Sequence, residues 1–162
     1  MNENHAAMAQ AMRQVRDSMS EEEYAALLVP QELEKRACSD KILIYAKGTF
    51  EPGALGVTIG PALQKALAKF SGWTVQGVNY NPSIAGDYCL GLPGGIAAKQ
   101  LLTSVAASCP QSKILMSGYS QGAMVVRNGL GNSTSQGRVS GLLTFGDPFG
   151  MSGAIMSNAR EN

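Results

Sequence analysis

The sequence predicts an α/β protein, a doubly wound parallel sheet in three layers with helices on both faces. Three observations lead there. From Ser39 onward, short apolar runs alternate with segments of helical periodicity. Loops rich in glycine separate them, and glycine supplies 19 of the 162 residues. At 118–122 the chain reads GYSQG, with an apolar run directly before it and a helical segment directly after.

The elements follow in order. KILIYA (41–46) is a short buried strand, followed by the loop KGTFEPGALG. PALQKALAKF (61–70) is a helix with Pro61 in its first turn, where a missing N–H costs nothing. WTVQGVNY (73–80) is the second strand, and NPSIAGDYCLGLPGG reads as one long glycine-rich loop. IAAKQLLTSVAAS (96–108) is a helix, KILMSG (113–118) the third strand, QGAMVVRNGL (121–130) a helix and VSGLLTF (139–145) the fourth strand.

Residues 1–36 form a separate helical extension. Ala7, Met8, Met12, Val15 and Met19 line one helical face, Ser20–Glu23 fits a capping box, and Pro30 ends a second helix. This stretch holds seven of the twelve acidic residues, so residues 37–162 have a short inventory of titratable groups. The opening residues show no basic segment followed by an unbroken apolar core, so no signal peptide is read there.

Composition narrows the function. A formal net charge of +1 without a long basic run argues against nucleic acid or an anionic membrane surface as a main partner. No apolar stretch approaches the length of a membrane span. Three scattered cysteines and one histidine, His5, offer no metal-ligand cluster, and no cofactor is expected.

A serine between two glycines, at a strand-to-helix junction, fits a nucleophile elbow. The turn is so tight that side chains at 118 and 122 would clash, and it lifts the Ser120 hydroxyl above the sheet edge. Around this motif, CPQSKILMSGYSQGAMVV resembles the nucleophile segment of the cutinase family, serine esterases of the α/β-hydrolase class. CSDKILIYAKGTFEPGALG (38–56) resembles that family's first strand and oxyanion loop; VNYNP (78–82) and LLTFGDPFG (142–150) also fit.

The resemblance implies Ser120 as nucleophile, the Gln121 backbone N–H as one oxyanion donor, and Thr49, through its N–H and hydroxyl, as a second. Thr49 and Ser120 each follow a strand, so both belong at the carboxyl edge of a parallel sheet, where such sites form. Cys38 and Cys109 precede the first and third strands. These are neighbours in a doubly wound order, so a disulfide between them is expected, and the resemblance implies the same pairing. Cys89 is left as a free thiol. Asn132-Ser133-Thr134 is a glycosylation acceptor if the chain is exported. By resemblance the chain is a secreted monomer whose partner is an ester substrate such as cutin.

The family places its catalytic acid and histidine beyond the FGDPF segment. Here GMSGAIMSNAREN follows, and no histidine lies after Ser120. The expected domain is therefore an incomplete hydrolase over 37–150 with an unrelated tail over 151–162. Asp147 is read as a turn residue rather than the catalytic acid, and His5 as a solvated helix residue. Two functions follow: an impaired cutinase-like esterase, or an inactive relative acting as a secreted binding or effector protein.

Overall fold

The computed structural model describes residues 38–150. The helices expected over residues 1–36, with His5, and the tail from 151 lie outside the described residues. Within them the order is β1 (Lys41–Ala46), α1 (Gly60–Leu67), β2 (Trp73–Gly77), α2 (Ile84–Tyr88), α3 (Leu92–Ser108), β3 (Lys113–Tyr119), α4 (Gln121–Gly131) and β4 (Val139–Phe145). The four strands are all parallel, in the spatial order β2-β1-β3-β4. Placing β1 beside β3 puts two apolar strands, KILIYA and KILMSG, at the centre of the sheet, in register from Lys41↔Lys113 to Ala46↔Gly118.

Side chains alternate across a strand, and both faces of β1 are used. Ile42, Ile44 and Ala46 join Ile114, Met116 and the apolar sides of α3 and α4 in one buried core. Tyr45 leaves the opposite face, buried, with its ring against the start of α1 at Gly60. Helices thus lie on both faces, α3 and α4 on one and the start of α1 on the other, as the alternating pattern predicts. A parallel strand pair requires such crossovers, and burial on both faces explains why β1 and β3 are almost wholly apolar.

Two of the expected elements are shorter than read, the second strand ending at Gly77 instead of 80 and the first helix at Leu67 instead of 70, and one region differs in kind. The segment 81–95, expected as a loop, contains α2 and the first turn of α3. Gly91, Gly94 and Gly95 suggested loop because glycine weakens helices on intrinsic propensity. The tertiary reason for them is close packing. A Cβ on Gly94 would lie 2.4 Å from Val125 Cγ2, and one on Gly95 would lie 2.6 Å from Asn128 Cβ, both on α4. Pro93 sits in the first turn of α3, which is compatible with helix.

Candidate active site

The elbow is built as its glycines demand. Ser120, between β3 and α4, has φ 53° and ψ −116°, a conformation costly for any residue with a side chain. A Cβ on Gly118 would meet Gly122 O at 2.2 Å, and one on Gly122 would meet Ala46 O at 2.0 Å. The turn therefore folds back on itself and onto the end of β1, and only glycine fits at either side. The Ser120 N–H donates to Phe145 O (2.9 Å), tying the elbow to the end of β4. The serine side chain caps nothing in the helix that follows and is half-buried.

The loop after β1 is organised by Glu51, which is buried. Its carboxylate accepts from Gly48 N (2.6 Å), Val57 N (3.1 Å) and Thr58 N (2.7 Å). Burial alone would raise its pKa. Hydrogen bonds from the Thr58 hydroxyl and these three backbone N–H groups outweigh burial and hold it below the usual carboxylate range. Lys47, in the same turn, is shifted downward by burial, which the nearby Glu51 carboxylate opposes; its ammonium donates to Gly53 O. The Tyr80 hydroxyl donates to Lys47 O. The loop is thus fastened from within and from β2's continuation.

The segment 82–91 closes the third side. Phe50 N–H donates to Pro82 O (2.7 Å). The Thr49 hydroxyl donates to Asp87 Oδ2 (2.8 Å) and Oδ1 (3.0 Å). The Gln121 side chain is fully buried, and its Nε2 reaches Ser83 O (2.7 Å), Asp87 Oδ1 (3.0 Å) and Thr49 Oγ1 (3.4 Å). Three elements distant in sequence therefore meet at one carboxylate. Asp87 escaped the sequence analysis because it lay in a stretch read as featureless loop. The acidic inventory, with so few carboxylates after residue 36, is the signal that could have found it.

The amides of Thr49 and Gln121 have no protein hydrogen-bond partner among the described residues. Both sit at the carboxyl edge of the sheet, Gln121 directly after Ser120 and Thr49 against the Gln121 side chain. Phe50 (72% exposed) and Tyr88 (84% exposed), with Ile84 and Leu90, place apolar surface on the loop after β1 and on α2 and its C-terminal turn, flanking this edge.

The other expected residues separate cleanly. Asp147 is held in an ion pair and a turn: its Oδ2 pairs with Arg127 Nε and Nη2 of α4, both at 2.6 Å, and its Oδ1 accepts from Phe149 N (2.9 Å). It is the turn residue that the sequence suggested. Cys38 and Cys109 form the disulfide, Cα–Cα 5.5 Å, at the opposite edge of the sheet, and Cys89 is a free thiol. No cluster of metal-ligating side chains occurs among the described residues. None of their helices is long and apolar enough to cross a membrane.

A parallel sheet with a strained serine between strand and helix defines an α/β-hydrolase-like protein. The comparisons with known proteins are more specific. The Cutinase family model matches residues 37–160, running past the boundary at 150 drawn from the sequence. The chain is 42% identical over 114 residues to Cutinase 4 of Emericella nidulans, covering 69% of this chain and 51% of that protein. It is 36% identical over 138 residues to the cutinase of Hypocrea jecorina, covering 82% and 55%. A solved structure of Trichoderma reesei cutinase in complex with a phosphonate inhibitor superposes with a TM-score of 0.63 at 33% identity, covering 90% of this chain and 68% of that one. The chain belongs to the cutinase family, and it spans about half the length of these two curated relatives.

Proposed function

We propose that the chain supplies the nucleophile and oxyanion half of a cutinase-like serine ester hydrolase. The observation that carries this is the strained serine at the carboxyl edge of a parallel sheet, which it shares with two backbone amides unpaired among the described residues. In this reading Ser120 Oγ attacks the acyl carbon. The N–H groups of Gln121 and Thr49 donate to the oxygen that becomes negative in the tetrahedral intermediate. The proton leaving Ser120 needs a base, and the described residues include no histidine. Asp147 is committed to Arg127, Glu51 to its own loop, and Asp87 to Thr49 and Gln121.

The exposed apolar side chains of Phe50, Ile84, Tyr88 and Leu90 favour an acyl substrate with an apolar chain, of the lipid or cutin polyester class. The disulfide favours an oxidising compartment, hence a secreted protein. The family match begins at residue 37, which supports reading residues 1–36 as an extension and the chain as a self-contained monomeric hydrolase unit from there on.

The test is hydrolysis of a soluble p-nitrophenyl acyl ester by the 162-residue chain and by Ser120→Ala. Turnover about 10³–10⁴ over water is expected for an oxyanion site without its base, and Ser120→Ala abolishes the covalent part. A rate equal to that of an intact esterase would refute the missing base. A rate equal in both proteins would remove Ser120 from the chemistry.

A further inference from the structure

Thr49 carries two donors, a backbone N–H and a hydroxyl proton, and the structure commits the second elsewhere. An ionised carboxylate can only accept hydrogen bonds. The contacts from Thr49 Oγ1 to Asp87 at 2.8 and 3.0 Å therefore use the single hydroxyl proton of Thr49. What faces away from Asp87 is lone pair, which repels a developing oxyanion instead of stabilising it. The carboxylate is itself held in place. Oδ1 also accepts from Gln121 Nε2 at 3.0 Å, and the Gln121 side chain is fixed by Ser83 O at 2.7 Å. Gly86 secures this clamp, since a Cβ there would meet Gln121 Oε1 at 2.7 Å.

We infer that Asp87 is a positioning residue that withholds the Thr49 hydroxyl from the oxyanion hole, leaving the site with two backbone donors where it has the atoms for three. The inference rests on the esterase reading of Ser120 and Thr49. Its sharpest consequence is a gain. In Asp87→Asn, Oδ1 continues to accept from Gln121 Nε2. The amide nitrogen takes the place of Oδ2, the atom at 2.8 Å, and donates to Thr49 Oγ1. The Gln121 bonds are kept, the hydrogen bond at the Oδ2 position changes direction, the 3.0 Å contact from the hydroxyl to Oδ1 is given up, and the hydroxyl proton is released toward the acyl oxygen.

The experiment measures covalent capture of Ser120 by a p-nitrophenyl alkylphosphonate, with imidazole added as external base and intact mass as readout. In this step the serine oxygen bonds to phosphorus, p-nitrophenolate leaves, imidazole takes the serine proton, and the phosphoryl oxygen gains charge in the hole. Asp87→Asn is expected to raise the limiting capture rate at least about tenfold, with little change in the half-saturating phosphonate concentration. Adding Thr49→Val to Asp87→Asn is expected to remove that gain, because the freed hydroxyl is its source. Thermal melts establish that each variant is folded. A folded Asp87→Asn that reacts no faster than the parent overturns the inference alone, as does a gain that survives Thr49→Val. Capture of neither protein overturns the esterase reading and the inference with it.

Discussion

The two edges of the sheet are held by different means. At the amino edge, the Cys38–Cys109 disulfide is joined by bonds that end on backbone carbonyls. Ser112 Oγ donates to Ser39 O (2.5 Å), Lys113 N to Asp40 O (2.9 Å), and the Arg138 guanidinium to the carbonyls of Ala106 (3.0 Å), Cys109 (3.2 Å) and Ser112 (3.3 Å). At the carboxyl edge, two carboxylates, Glu51 and Asp87, gather N–H and O–H donors from separate loops. All three non-glycine residues with positive φ among the described residues, Phe50, Leu90 and Ser120, lie there. Strain and polar clamps collect where chemistry is proposed; covalent and backbone fastening collect at the other end. A site can hold costly conformations when the rest of the fold over-determines them.

The largest expected effect tests the amino edge. Replacing Cys38 and Cys109 together with serine frees a loop with a sequence separation of 71 and is expected to cost about 4 kcal/mol. Urea melts with and without reductant measure it. A parent protein whose midpoint ignores reductant would show that this edge is held by its carbonyl contacts alone.

Next in size is Glu51→Gln at the opposite edge. The amide presents N–H to backbone N–H groups and leaves at least one buried donor unsatisfied, at a cost of about 2 kcal/mol near neutral pH. The sign of the pH dependence follows from the depressed pKa of Glu51 in the fold. Its stabilisation is complete above the unfolded-state pKa and is lost as pH falls through the lower folded value. The stability gap between parent and variant should therefore narrow in acid. Melts at a series of pH values decide this, and a gap that is constant down to the acid limit would remove the carboxylate from the account.

The smallest effect isolates the strain. Ser120→Gly keeps the turn and relieves a positive φ, so it is expected to stabilise the chain by about 1 kcal/mol while ending any covalent chemistry. A destabilised Ser120→Gly would mean that the serine side chain supports the fold.

The sheet was largely legible because its signals are local and repeated. Apolar runs of strand length at 41–46, 113–118 and 139–145 match the strands to within a residue. The Cys38–Cys109 pair followed from the strand order. The elbow was legible too, since two glycines around a serine serve only a crowded turn. The segment 81–95 was not. Its glycines exist for contacts with α4 and Gln121, partners at 121–128 that no local pattern reveals. The destination of the Thr49 hydroxyl was hidden for the same reason. Asp87 lies 38 residues away in sequence, and only the folded chain brings the two together.

The seam between α3 and α4 has a mechanical consequence. Gly94, Gly95 and Gly129 carry no side chains, so the two helices meet almost backbone to backbone. A rod seated that closely has little freedom to roll or slide. α4 is such a rod with Ser120 at its tip, and Gly129 sits nine residues down, roughly 13 Å along the axis at 1.5 Å per residue. A single methyl group added there would lever the far end. The aim of the serine is thus set in part at the other end of its helix, by what three residues lack.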